Sequence, residues 1–346
     1  MDKTLKKNPL SLQLDPGLFD RASEEDKAQQ VVTRESVSFM RDAMRRLRRN
    51  KISMACVAIL FLVAMVAFIV PSVYPYSYTK QDVTAKYLGP MEYSKKEMAK
   101  IAQGESVFPH LMGTDSLGRD YASRVIYGTR ISLLVGIVSA IIVVVIGIIY
   151  GAISGYFGGK VDLIMMRIVD IIYSLPDVLI VILLSVAIKD IISTSKSMLI
   201  VRMGAGMVSI FIVFGLLYWV GMARQVRGQI LSIKEQEYVL ASRSIGASPA
   251  RIIRKHMIPN CVSVIIITAA MQIPSAIFTE SFLSFLGLGV SIPMPSLGSL
   301  ASDARSGLVS YPYLLIFPAL SIFLIVLSFN LLGNGLRDAF DPKLRS

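Results

Sequence analysis

Charge is scarce in this chain. Asp, Glu, Lys and Arg make up 17% of its 346 residues, where a soluble domain holds about a quarter. The uncharged stretches are long, and 53% of all residues are hydrophobic. Mean hydropathy is +0.59. A soluble globular class is thereby excluded, and a polytopic membrane protein is expected. Histidine is nearly missing too. His110 and His256 fall on opposite sides of the membrane in the topology read below, which leaves no histidine metal pair and no obvious catalytic triad. The two cysteines, Cys56 and Cys261, sit in or at the ends of apolar runs and read as small core residues. A nucleotide loop is absent as well. The nearest approach, SGYFGGKV, has Ser154 where the first glycine belongs and Val161 where Ser or Thr belongs. No enzyme activity is therefore expected, and ATP-driven work would need an ATPase on another chain. The first 40 residues lack the apolar core of a cleavable signal peptide. A net charge of +12 invites a nucleic-acid reading, but cytoplasmic loops give membrane proteins the same excess. No nucleic-acid partner is expected.

Six apolar spans are legible. Residues 1–35 read as a loosely ordered cytoplasmic tail, and 36–73 as a basic amphipathic segment followed by the first span, Ile52 to Val70. Arg45, Arg46, Arg48, Arg49 and Lys51 precede that span and favour the cytoplasmic side. Residues 74–130 are polar, with eight basic and six acidic residues, and read as extracytoplasmic. The second span covers Ile131 to about Tyr156, where Gly136, Gly147, Gly151 and Gly155 would let another helix approach closely. The third is expected from about Val161 to Ile188, kinked at Pro176. Its Asp162, Arg167, Asp170 and Asp177 leave open either a cytoplasmic extension or a polar cavity within the bundle. A short external loop, 189–202, precedes the fourth span at about Met203 to Met222. The fifth runs from about Cys261 to Phe285, a Gly/Pro/Ser-rich re-entrant or surface loop fills 288–310, and the sixth covers about Tyr313 to Leu332. Arg337, Lys343 and Arg345 keep the end of the chain, 336–346, cytoplasmic.

Between the fourth and fifth spans lies a polar island, 224–260, with seven basic and two acidic residues. Ile230, Ile233, Val239, Ile245, Ile252 and Ile253 recur at roughly helical spacing and form an expected apolar back. A first helix is expected at about Ile233 to Ile245, a turn at Gly246, and a second helix opened by Ser248 as cap with Pro249 in its first turn. Pro259 is expected to start the fifth span. Physically, such a pair either rests on headgroups or passes force from a cytoplasmic partner into the bundle.

The pattern Leu240-Ala241-Ser242, three residues, Gly246, nine residues, His256-Met257-Ile258-Pro259 resembles the EAA loop of ABC importer permeases. That loop reads Glu-Ala-Ala, three residues, Gly, nine residues, Ile, one residue, Leu-Pro. The spacing agrees; Leu240, Ser242 and His256 depart from the motif. Three further stretches look like the oligopeptide/dipeptide branch. They are His110 with GTDSLGRD (Gly113 to Asp120), the run Glu280 to Gly289, and Asn334 to Asp338 with Asp341-Pro342. The resemblance spans about Phe39 to Arg345.

This resemblance implies an all-α, six-span, type I importer permease, with a permease core over 131–335, in a bacterial inner membrane and with both termini cytoplasmic. It implies an ATPase-coupling segment containing Glu237, Ala241, Ser242, Gly246, Ala247, Ser248, Pro249, Ile258 and Pro259, with Glu237 standing in for the absent acid at Leu240. Implied partners are a homologous second permease chain, two ATPase subunits that bind ATP and Mg, and an extracellular binding protein. The cargo would be a peptide, and this chain would hold no cofactor and no metal. Met271, Gln272, Ser275 and Glu280 are expected along the pathway, though Glu280 also fits an interfacial carboxylate. Nickel or another metal complex is the alternative cargo, and a non-transporting scaffold or sensor the alternative class. An ion-coupled carrier is disfavoured, since spans one, two and six hold no ionisable residue.

Overall fold

An apolar run in hydrocarbon must satisfy its backbone internally, so each run becomes a helix; how far the helix continues beyond the run depends on packing. The structure, a computed structural model, describes residues 39–194, 197–290 and 294–340. The tail expected over 1–35, and Asp341, Pro342, Lys343 and Arg345, lie outside them. The chain divides into two units after Asp42, and the spans all belong to the second. Helices are α1 (Phe39–Arg49), α2 (Lys51–Ile69), α3 (Lys95–Ala102), α4 (Tyr121–Phe157), α5 (Gly159–Ser174), α6 (Asp177–Ser193), α7 (Met198–Met203), α8 (Ala205–Val213), α9 (Trp219–Lys234), α10 (Glu237–Ser244), α11 (Pro249–Ile252), α12 (Val262–Phe285), α13 (Leu297–Asp303) and α14 (Tyr313–Phe340).

Five helical stretches are long and apolar enough to span a membrane: 51–72, 121–157, 205–234, 249–285 and 313–340. The expected third span is not one helix. Leu175 and Pro176 separate α5 from α6, and the two axes differ by 90°. Pro176 has no N–H to donate back to Ile172, and a proline disfavours helical backbone in the residue before it. Leu175 is accordingly extended (φ −77°, ψ 143°). The kink expected from sequence is a full corner.

Other boundaries move outward. α4 begins ten residues before the expected span, capped by Asp120, whose Oδ1 accepts from Ser123 N at 2.7 Å. At 37 residues it is roughly 55 Å long, well beyond the hydrocarbon thickness of about 30 Å. α6 and α7 take up most of the loop expected over 189–202. The fourth span continues through a π turn (Phe214–Tyr218) to Lys234, and α14 runs to Phe340. Of the two forms expected for 288–310, a re-entrant or a surface loop, the surface form does not hold for its middle, because α13 inserts Leu297 and Leu300 into the core, both fully buried.

α4 is the central post. Along one side Gly147, Gly151 and Gly155 recur every four residues against α9, where Met222, Ala223, Val226 and Ile230 are buried. A Cβ on Gly151 would lie 2.4 Å from the Ala223 carbonyl oxygen. One turn-cluster higher, Gly136 meets Ile277 of α12, and α12 in turn packs on α14, which packs on α2.

The polar segment before α4 folds on itself. Gly118 has φ +69°, and a Cβ there would fall 1.7 Å from the Asp82 carbonyl oxygen, so only glycine lets these two stretches of chain meet. Asp115 accepts from Leu117 N, Arg119 N, Arg119 Nε and, at 2.5 Å, Arg124 Nη1. The buried His110 lies between two carboxylates, Nδ1 2.8 Å from Asp120 and Nε2 3.4 Å from Glu97, with the Tyr76 ring stacked on it at 4.5 Å. Burial raises the Glu97 pKa, but the Ser94 N–H and hydroxyl, His110 and the Tyr76 hydroxyl outweigh it and hold the carboxyl below the usual range. Thus the GTDSLGRD stretch is a packed, internally satisfied plug at the start of α4.

Candidate functional site

The island at 224–260 is built by three elements. α9 carries the chain out to Lys234; a turn at Glu235–Gln236, closed by Gln236 N to the Ile233 carbonyl at 3.0 Å, starts α10. The first helix of the pair therefore covers Glu237 to Ser244, and Ile233 belongs to the preceding span. Gly246 ends it as expected. With φ +81° it lets its own N–H reach the Arg243 carbonyl at 3.0 Å while Ala247 N reaches the Ser242 carbonyl at 3.1 Å. Both bonds together are the left-handed helix stop that glycine favours. Pro249 opens α11, but Ser248 makes no side-chain cap. Pro249 brings a φ preset for the first helical position, and the Ser248 carbonyl accepts from Ile252 N at 3.0 Å. Nor does Pro259 begin a new helix. The chain is helical from Pro249 to Phe285, passing through a π turn (Ile253–Met257) and a 3-10 turn (Ile258–Cys261) that absorbs Pro259.

Burial sorts the two faces of α10. Val239 is fully buried with Ile230, Ile252 and Met257, and Ile233 and Ile253 pack against the same cluster. Ile245 does not. It is 85% exposed, on a face shared with Tyr238, Ala241 and Glu237. Leu240, Ser248, Pro249 and Pro259 are exposed too, while Ser242, Ala247 and Ile258 are half-buried. The loop thus brings Glu237 to Pro249 together as one outward ridge; Ile258 and Pro259 stand apart, behind it.

The ridge is fastened to the bundle. Arg243 lies 5.5 Å from the Tyr156 ring centroid, at the end of α4. Arg227 of α9 grips Asp162 of α5 with two bonds of 2.5 Å, and Ser154 of α4 donates to the same carboxylate. The nucleotide-loop near-miss is therefore the α4–α5 corner, with Ser154 engaged in packing. Arg224 holds Asp170 at 2.7 Å and covers the Tyr173 ring at 4.2 Å. These pairs span 65 and 54 residues, and no local pattern announces them. Replacing Arg227 with Gln is expected to lower the thermal midpoint of the detergent-solubilised protein by several degrees. A thermal-melt double-mutant cycle with Asp162→Asn should give a coupling of about 1–2 kcal/mol; additive effects would show that the pair contributes nothing to holding the corner.

The expected pathway residues do not form one cluster. Met271 packs toward Gly333, with Arg337 Nη2 3.4 Å from its sulfur. Gln272 is half-buried, and its Nε2 has no hydrogen-bond partner among the described residues; Ser275 is exposed. Glu280 is fully buried at the junction of α4, α12 and α13. It accepts from Ser132 at 2.8 Å, Ser284 at 2.7 Å and Ser281 at 3.4 Å. The Ser132 partner lies 148 residues away. No group of three or more His, Cys, Asp or Glu is placed to hold a metal ion among the described residues.

Comparison with known proteins agrees with this architecture. Residues 144–346 match the family of binding-protein-dependent transport system inner membrane components. Residues 38–90 match the N-terminal TM domain of oligopeptide transport permease C. The chain is 44% identical to the dipeptide transport system permease protein DppC of Bacillus subtilis (strain 168), over 93% of this chain and 91% of that protein. It is 40% identical to the oligopeptide transport system permease protein OppC of the same organism, over 95% and 97%. Identity is 38% to the glutathione transport system permease protein GsiD of Pectobacterium atrosepticum, over 88% and 92%. The chain belongs to the binding-protein-dependent transport system inner membrane component family.

Proposed function

We propose that this chain is one of two homologous permease subunits of an ATP-driven importer of oligopeptides or dipeptides. The observation that carries the coupling part of this reading is the outward ridge Glu237 to Pro249. It exposes Tyr238, Ala241 and Ile245 as an apolar face while Val239 locks it to α9 and α11. An apolar helix face fits a groove on a partner, and a helix fastened at both ends to long membrane helices transmits displacement. Glu237, exposed in the first turn of α10, takes the place of the acid missing at Leu240.

In this reading the partners are a second permease chain, two ATPase subunits that bind ATP and Mg, and an extracellular binding protein. The bent α5–α6 pair counts as one broken span, which makes six. The arginines of α1 and the basic 224–260 loop then share the cytoplasmic side. Closure of the ATPases would move the ridge, tilt the α9 and α12 spans, and switch a central cavity between outward and inward access. Gln272, with its unpaired amide nitrogen, and Ser275 are its polar lining; Met271 and Glu280 support it from behind.

The test is reconstitution of the chain with its genomically neighbouring permease, ATPases and binding protein in proteoliposomes. ATP-dependent uptake of labelled tri-alanine is expected, and none without this chain. Uptake that proceeds equally without it would sink the reading.

A further inference from the structure

The α5–α6 pair carries Asp162, Asp170 and Asp177 around its corner, with Asp190 further along α6, and α9 presents Arg224 and Arg227 three residues apart. Asp162 meets Arg227, and Asp170 meets Arg224. The next position on α9 is Gly221, where a Cβ would find nothing within 4 Å. The third aspartate, Asp177, therefore has no arginine opposite it. Its Oδ1 accepts from Val178 N at 2.8 Å, and nothing among the described residues donates to its Oδ2. Where the third cation would stand there is a cavity of about 450 Å³, lined by Tyr173, Asp177, Tyr218 and Gly221 with Ile180 and Val181 as aliphatic walls.

Each wall of this cavity is specially made. The 90° corner at Leu175–Pro176 opens it on one side. On the other, the π turn Phe214–Tyr218 interrupts the α8–α9 helix and places Tyr218 on the cavity, with its hydroxyl 3.4 Å from Thr279 of α12. Single π turns inside helices recur at functional sites. Asp177 is exposed in the first turn of α6, where the helix N-terminus favours a carboxylate, and it has no side-chain cation beside it among the described residues. Tyr218 beside the Asp177 carboxylate suits an organic ammonium group, through charge and through its ring face, while Arg224 already covers one face of Tyr173 at 4.2 Å. The volume lies in the range of small-ligand sites, sufficient for the leading residues of a peptide.

We propose that this cavity is a transit site for the α-ammonium end of the cargo, with Asp177 as its counter-ion and Tyr173 and Tyr218 as its walls. The proposal rests on the peptide-importer reading for the identity of the cation, and on the missing third arginine for the site itself.

The experiment separates the two. In the assembled importer in proteoliposomes, a Gly221→Cys variant is treated with 2-aminoethyl or 2-sulfonatoethyl methanethiosulfonate. The native Cys56 and Cys261 are buried. The ammonium reagent is expected to react about tenfold faster or more, because a fixed carboxylate raises the local concentration of cations. Asp177→Asn on that background should bring the two rates together. Equal rates with Asp177 present overturn the site, and so does no reaction with either reagent, which would mean the second permease chain covers it. Ile180→Cys gives the same reading from the facing wall if the first variant does not assemble. In parallel, Asp177→Asn should cut initial tri-alanine uptake roughly tenfold, with part of the loss recovered by Asp177→Glu. Uptake at the parent rate overturns the transit role. If the parent complex itself takes up no tri-alanine, the cargo reading fails, while the labelling ratio still decides whether the cavity is selective for ammonium.

Discussion

Replacing Gly151 with leucine is expected to abolish accumulation of the folded chain. A Cβ at this position already falls 2.4 Å from the Ala223 carbonyl oxygen and 3.0 Å from Val226 Cβ. Neither neighbour can yield: one is backbone, and the other is β-branched and fully buried. The adjoining positions give no relief, since a Cβ on Gly147 would lie 2.5 Å from Met222 and one on Gly155 2.8 Å from Ile230. Leucine therefore forces α4 and α9 apart over about three turns and strips the contacts that close backbone approach provides. Overpacking a well-filled core costs about 1–3 kcal/mol, occasionally more, and an unyielding backbone contact belongs at the upper end. Gly228→Ala is the matched control, because a Cβ there meets nothing within 4 Å and alanine is the better helix former. Membrane-fraction yield and thermal midpoint are the readouts. Equal values for Gly151→Leu and Gly228→Ala would mean that the seam does not hold these helices together.

Gly246→Leu is expected to act in the opposite manner, sparing the fold and abolishing coupled transport. Nothing lies within 4 Å of a Cβ at Gly246, so space is not the constraint; φ +81° is. Placing an L side chain in the left-handed region costs about 1–2 kcal/mol, too little to unfold a multi-span protein. It is enough to shift the chain out of the turn, breaking the Gly246–Arg243 and Ala247–Ser242 bonds and redirecting Ser248 and Pro249 away from α10. The ridge then loses its shape. Binding-protein-stimulated ATPase activity and uptake should fall together, by roughly tenfold or more, with the thermal midpoint within a few degrees of the parent. Gly246→Asn, which tolerates this conformation better, should retain most of both. A leucine variant that transports at the parent rate would remove the ridge from the coupling mechanism.

The contrast between these two glycines shows what was legible beforehand. Gly147, Gly151 and Gly155 could be read as a close-packing stripe because a period of four places them on one face, although the partner helix was not evident. Gly246 could be read as a turn because its role is local: the helix stop depends on its own φ and on bonds to residues three and five earlier. Other expectations failed where tertiary contacts outweigh local chemistry. Ser248 was expected to cap α11 and makes no such bond. Ile245 was expected on the apolar back with Val239 yet is exposed, because six residues along a helix turn it about 120° away from Val239 and onto the face of Ala241.

Ends of helices were the least legible features. Apolar runs mark the part of a helix that lipid requires, and they locate the spans. They are silent about α4 starting at Tyr121 or α9 continuing to Lys234, since those polar turns are held by contacts such as Asp120 to Ser123 and Arg227 to Asp162.

By itself the sequence determined that the chain is all-helical and membrane-spanning, and that a basic island lies between two of its spans. Hydrocarbon leaves the backbone few alternatives, and a glycine turn is a property of one residue. Tertiary structure alone decided that the third span breaks by 90°, that Glu280 is closed in by serines, and that Asp177 faces a cavity while Asp162 and Asp170 meet arginines. Those outcomes depend on which helix lies opposite, and the groups concerned come together from positions tens to more than a hundred residues apart.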